Sequence, residues 1–242
     1  MSSNELSVRQ ELAAIFRLLA HYRMTDLIHT HASARQSDHT LLINRYDLLF
    51  DEVTASSLVE IDESGALLPG YEDAEVNNAG CNIHSAIHEA FPEIGFVIHT
   101  HTRAGAAVSA QAKGLLPVSQ QALMFGGAIG YHDFEGFVLS KEERVSLARD
   151  LEGNKALILR NHGLIVVGAN AYEAYNRLWN LERACEIQIA AMSGGAELVL
   201  PAKEVQELMG QQAQSERQLQ IEKMAWNASL RLIEGKGTDY RA

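Results

Sequence analysis

Three histidines close two apolar runs. His99-Thr100-His101 ends the run Gly95-Phe96-Val97-Ile98, and Asn161-His162-Gly163 follows Ala156-Leu157-Ile158-Leu159-Arg160. Both runs predict buried strands. Successive strand side chains alternate between faces, so His99 and His101 share one, roughly 6–7 Å apart along the chain. Two imidazoles leaning from those positions can meet one divalent cation at roughly 2.1 Å each. A third from a neighbouring strand end, His162, completes a three-ligand site with open positions. Open positions suit catalysis, because structural zinc sites are usually closed by four ligands. The competing reading is ordinary strand chemistry: ten histidines in 242 residues is a generous supply. The histidine at a second strand end, followed by Gly163 to let the backbone turn tightly, favours the metal.

Further groups could take part. His84 and His88 lie four apart, hence on one helical face. His84 could reach the metal as a fourth ligand or move a proton, whereas His88 lies a turn further away. Asp26, His29 and His31 cluster before Ser33 and Arg35 in a predicted loop. The run Tyr131-His132-Asp133-Phe134-Glu135-Gly136 offers Tyr131 and His132 as proton donors or acceptors, against the alternative of a plain polar loop. Arg103 and Arg160 neighbour the proposed ligands and could hold a carboxylate bidentately. Arg160 could equally be a structural ion-pair partner.

The elements that must position these groups follow from pattern. Apolar positions at helical spacing (Leu12, Ile15, Phe16, Leu19) predict an opening helix over about 7–24. Strands are expected at 40–43, 57–61, 95–101, 128–131, 156–160 and 164–167. Asn77 and Asn78 cap a helix over 79–91 with Pro92 beyond its end, and an alanine-rich helix spans about 102–113. Ser140-Lys141-Glu142-Glu143 reads as a capping box opening a helix to about Leu151. From Asn170 the chain is helical, broken at Gly194-Gly195 and Pro201, with a helical tail over about 201–242. Residues 235–242 are expected as a loose or partner-docked end. Met224, Trp226, Leu230 and Leu232 read as packing surface, within or between subunits. Helices alternate with strands and no linker divides them, so a single α/β domain over 1–242 is expected.

Composition narrows the functions. A hydrophobic share of 47% supports a sizeable core, and a net charge of −11 without any Lys/Arg cluster argues against nucleic acid. Cys81 and Cys185 match no metal or redox spacing, as expected of buried thiols in a reduced compartment. No apolar run reaches the ~20 residues of a membrane span, and the N-terminus lacks a signal-peptide pattern. The expectation is a soluble, cytoplasmic protein.

The motifs together resemble the class II aldolase/adducin family, in its bacterial adducin-like branch. Three stretches carry the resemblance: Phe50-Asp51-Glu52-Val53-Thr54-Ala55-Ser56-Ser57-Leu58-Val59, His99-Thr100-His101-Thr102-Arg103-Ala104-Gly105 and Arg160-Asn161-His162-Gly163-Leu164. The resemblance implies a three-layer α/β/α fold around a mixed, largely antiparallel sheet, assembled as a homotetramer. It implies that His99, His101 and His162 hold a divalent metal: zinc in the sugar-phosphate aldolases, with manganese, cobalt or iron as alternatives. It also places His29, His31 and Ser33 in the family's ligand loop, and so in contact with a small-molecule substrate, with Arg160 a further candidate. The departures are informative. The aldolases carry a catalytic glutamate where this chain has Gly80, four residues ahead of His84, and glycine cannot transfer a proton. Asp47 would repel a substrate phosphate, and His31-Ala32 copies the family's Gly-Asn pair poorly.

The expected function is therefore metal-dependent carbon–carbon cleavage, of aldolase or decarboxylase type, on a small oxo- or hydroxy-acid or carbonyl compound other than a standard sugar phosphate. Two alternatives remain: a non-catalytic adducin-like scaffold, and a non-haem iron oxygenase on the same fold.

Overall fold

The computed structural model describes residues 6–136 and 141–242. Its strands are β1 (His31–Ser37), β2 (Thr40–Ile43), β3 (Val59–Ile61), β4 (Phe96–Thr100), β5 (Ile129–His132), β6 (Ala156–Leu159) and β7 (Gly163–Gly168). The helices are α1 (Val8–His21), α2 (Asn78–Ala90), α3 (Arg103–Ser109), α4 (Gln120–Leu123), α5 (Lys141–Leu151), α6 (Ala171–Met192), α7 (Lys203–Gln212) and α8 (Glu216–Ile233). The strands form one seven-stranded sheet in the order β3-β2-β1-β4-β7-β6-β5. Its neighbours run antiparallel except for the parallel pair β5–β6.

Two-residue alternation builds the layers. Ala32, Ala34, Ile98, Ile158, Leu164 and Val166 point to one face, where they join Leu12 and Phe16 of α1 and Leu178 and Leu181 of α6. Val97, Leu157, Leu159, Ile165 and Val167 point to the other, against Ile83 and Ile87 of α2 and Leu147 and Leu151 of α5. Helices thus cover both faces, giving the expected three-layer α/β/α arrangement with a mixed, largely antiparallel sheet. By the same alternation His31, Ser33 and His99 lie on the α2 side.

Caps and breakers act where the sequence places them. The Asn77 side chain accepts from the Gly80 amide at 3.1 Å to open α2, and Thr102 caps α3. The Ser140 cap expected for α5 lies outside the described residues. The predicted loop around His31–Arg35 is instead an interior strand, β1, paired with both β2 and β4. Its sequence His-Ala-Ser-Ala hides the strand, because alanines fill one face and polar side chains the other. The end of the chain is likewise docked on its own fold. The Ala55 and Ser56 amides donate to the Tyr240 and Ala242 carbonyls at 2.9 and 2.8 Å, and Tyr240 is buried. Trp226 is in the core, while Met224 and Leu232 stay partly exposed. Among the described residues no helix is long and apolar enough to cross a membrane.

Gly163 does a different task from the tight turn expected of it. The left-handed residue of the β6–β7 turn is Asn161, at φ 57°. A Cβ on Gly163 would lie 2.3 Å from the Thr100 carbonyl oxygen, so glycine is what lets β7 approach β4 there. Gly163→Ala should destabilise the protein by about 1–3 kcal/mol through this overpacking, read as a lowered thermal midpoint. An unchanged midpoint would contradict the close approach.

Candidate metal centre

Strand register assembles the site. Antiparallel pairing sets His31 opposite His99, and His99 opposite Ile165, so the end of β4 lies between β1 and the start of β7. The β6–β7 turn swings His162 over the same end, helped by Asn161, whose short polar side chain tolerates the left-handed region. The outcome is a triad. His101 Nε2 lies 2.8 Å from His99 Nε2 and 2.8 Å from His162 Nε2. All three ligand atoms fall within 4.8 Å of one another, the one such group among the described residues.

The outer nitrogens decide what the inner ones can do. His99 Nδ1 donates to the Leu164 carbonyl at 2.9 Å, and His101 Nδ1 donates to Asp26 Oδ2 at 3.1 Å. A neutral imidazole with its proton on Nδ1 carries a bare lone pair on Nε2. Burial keeps these rings neutral. It holds His99 well below the usual histidine range and His162 at about 4, and it lowers His101 although Asp26 pulls the other way. Two lone pairs facing each other at 2.8 Å cannot hydrogen-bond, so the pocket calls for a cation. Three neutral imidazoles with no thiolate suit zinc, iron, copper or nickel, and Asp26 and the Leu164 carbonyl orient the ligands from behind.

Behind the triad runs a second set of histidines. The His31 ring lies 4.8 Å from that of His99, tilted by 31°. Its Nδ1 is 2.7 Å from His84 Nε2, His84 Nδ1 is 2.5 Å from Ser33 Oγ, and Ser33 Oγ is 2.8 Å from His88 Nε2. The row ends where His88 Nδ1 donates to the Ile94 carbonyl at 3.1 Å. His84 therefore has both ring nitrogens engaged with His31 and Ser33, which leaves neither free for a metal in this arrangement. His88, read from sequence as an ordinary helix-face residue, is buried within this row.

The remaining candidates make contacts of their own. His29 is exposed and hydrogen-bonds Tyr46. The Tyr131 hydroxyl accepts from the Leu115 amide at 3.0 Å, and the Arg160 guanidinium stacks 4.3 Å from its ring centre while donating to the Gln111 carbonyl. Both thereby support the Gln111–Leu115 segment, and Arg103 is exposed. His132 is buried, with Nδ1 2.8 Å from Asp150 Oδ2 and Nε2 unpartnered among the described residues. Sequence reasoning placed Asp26 only in a cluster with His29 and His31, not on His101. It also gave Phe134 no role, although its exposed ring stands 6.2 Å from that of His162.

Buried neutral histidines impose a pH dependence. Burial pushes His88 down to about 3, and His31 and His84 well below the ordinary value. Below pH 6.5 the unfolded chain binds protons that the folded chain refuses, so stability falls as pH falls through that value toward 3. Each such histidine adds up to about 1.4 kcal/mol per pH unit to the slope. The urea midpoint of the metal-free protein should therefore drop steeply from pH 6.5 to pH 5. His88→Gln should flatten that slope by about one proton; an identical slope would show that His88 is not held neutral.

Comparison with known proteins agrees with this geometry. Residues 10–189 match the family model for the class II aldolase and adducin N-terminal domain. A Pseudomonas aeruginosa protein carrying a provisional class 2 aldolase name is 46% identical over 200 residues, covering 82% of this chain and 77% of that protein. Rat alpha-adducin is 42% identical over 204 residues, 81% of this chain but 28% of the adducin. A solved aldolase II superfamily structure from Pseudomonas syringae superposes with a TM-score of 0.92 at 46% identity, covering 100% of this chain and 98% of that one. L-fuculose 1-phosphate aldolase from Glaciozyma antarctica superposes with a TM-score of 0.84 at 27% identity, covering 97% and 92%. A chain with this fold, this His triad and these relatives belongs to the class II aldolase/adducin family.

Proposed function

We infer that this protein is a divalent-metal-dependent lyase that cleaves a carbon–carbon bond in a small 2-hydroxy or 2-oxo acid or a hydroxycarbonyl compound. The observation that carries the reading is the pair of bare Nε2 lone pairs on His99 and His101, 2.8 Å apart beside His162. A scaffold has no need of such an arrangement. In this reading His99, His101 and His162 hold the ion, with zinc as the first choice and manganese, cobalt or iron as alternatives. The bound ion supplies Lewis-acid stabilisation of negative charge on a carbonyl oxygen. That chemistry suits both retro-aldol cleavage and decarboxylation.

The rest of the site bears on substrate class. Gly80 brings no carboxylate to the pocket, so a proton must be handled by another group. Asp47 is held ionised by Arg45, with contacts of 2.8 and 2.7 Å, so the loop that would meet a substrate phosphate offers a spent cation and a carboxylate. This supports a substrate without a sugar phosphate. Exposed Leu208, Leu219, Ile221 and Met224 on α7 and α8 fit burial between subunits of a homotetramer. Unpaired Cys81 and Cys185, both buried, fit a cytoplasmic setting.

The adducin similarity favours a second reading, an assembly module of the adducin type. Metal separates the two. His101→Ala should abolish tight zinc binding while leaving the circular dichroism spectrum intact. Asp26→Asn should weaken zinc about 10- to 100-fold by freeing the His101 ring. A His101→Ala protein that binds zinc like the parent would remove the site from the account. With one zinc per chain, some member of a panel of 2-oxo and 2-hydroxy acids should be cleaved, and none should be cleaved by His101→Ala.

A further inference from the structure

Gly80 opens α2 directly against the His31 ring. A Cβ on residue 80 would lie 2.5 Å from His31 Cδ2 and 2.7 Å from its Nε2, so no other residue fits there while His31 keeps its place. The loss of a side chain at 80 and the presence of an imidazole at 31 are one structural change, not two. Helix α2 supplies the room and strand β1 fills it.

The row behind His31 fixes which of its nitrogens carries the proton. A carbonyl oxygen only accepts, so His88 Nδ1 must be the donor to Ile94. Neutral His88 then accepts at Nε2, from the Ser33 hydroxyl. That hydroxyl, its one proton used, accepts from His84 Nδ1. His84 Nε2 is left to accept from His31 Nδ1. Each step has a single solution, and the last leaves Nε2 of His31 without a proton. The backbone carbonyl at one end thus determines a lone pair at the other, beside the triad.

Resting on the lyase reading, we propose that His31 is the proton acceptor of this site, its Nε2 lone pair held toward the ligand by the row His84–Ser33–His88–Ile94. In a retro-aldol step the substrate hydroxyl gives its proton to His31 Nε2, and the O–H electron pair becomes the second bond of a new C=O. The adjacent carbon–carbon bond breaks, and its electron pair stays on the departing fragment as an enolate. That fragment then takes the proton back from His31, which regenerates the neutral ring. His84, Ser33 and His88 are positioning residues that hold the ring and its tautomer.

Nitrogen-15 NMR of the full-length, histidine-labelled protein tests this without a known substrate. The His31 resonances should show Nδ1 protonated and Nε2 bare in the metal-free protein. Ser33→Ala should mix the tautomers of His31 and His84. Adding zinc should shift the His99, His101 and His162 nitrogens and leave His31 Nε2 unligated, and His31→Ala should still bind one zinc per chain. Titrating the zinc-loaded protein with glycolate, a minimal 2-hydroxy acid, should then move His31 Nε2 toward the hydrogen-bonded range. Gly80→Glu should displace the ring and abolish that response. A protonated Nε2, a zinc-ligated His31, or a glycolate response at the triad but not at His31 would overturn this assignment and leave the lyase reading standing. Absence of any zinc response at the triad would overturn the lyase reading, and the assignment with it.

Discussion

The polar architecture depends on a simple asymmetry of the imidazole ring: a neutral histidine donates from one nitrogen and accepts at the other. Acceptors placed on the outer side of several rings therefore force lone pairs to the inside. The Leu164 carbonyl does this for His99, Asp26 for His101, and the Ile94 carbonyl, through three intermediates, for His31. Burial enforces it by favouring the uncharged form of the rings in the resting site. Concentrated acceptors in a buried pocket are costly unless a cation or a proton donor from a ligand completes them.

The sheet makes that concentration affordable. His31, Ser33 and His99 occupy the α2 face of β1 and β4, while the same face further along carries Val97, Ile165 and Val167 packed on Ile87 of α2 and Leu147 of α5. The opposite face is apolar throughout its centre, against α1 and α6. A polar end on an otherwise apolar layer can be held rigidly, because the strands that carry the histidines are anchored on both sides. Gly163 and Gly80 contribute by absence: one admits β7 against β4, the other admits the His31 ring against α2.

Much of this was legible in the sequence, and what was not has a physical reason. Strand alternation brought His99 and His101 to one face, and the second apolar run delivered His162. The cap at Asn77 sits where pattern alone puts it. Strand β1 escaped because its α2 face is polar and its opposite, equally buried face is alanine, which leaves no strong hydrophobic period to find. The contact of Asp26 with His101 joins residues 75 apart in sequence, and nothing local encodes it. The vacancy at Gly80 was visible through family resemblance. The ring that fills it was not, because only the pairing of β1 with β4 beside α2 brings His31 there. The hydrogen bonds of Tyr131 and Arg160 to the Gln111–Leu115 segment join residues distant in sequence, and nothing local encodes them either.

The central claim is that the triad exists to hold a metal. Elemental analysis of protein purified without chelators tests it most directly, as metal identity and stoichiometry per chain. The account predicts close to one divalent ion per chain, zinc foremost, with iron also consistent with the donor set. No metal as purified, and none taken up on titration with zinc, would contradict it and leave an adducin-like assembly module as the better description.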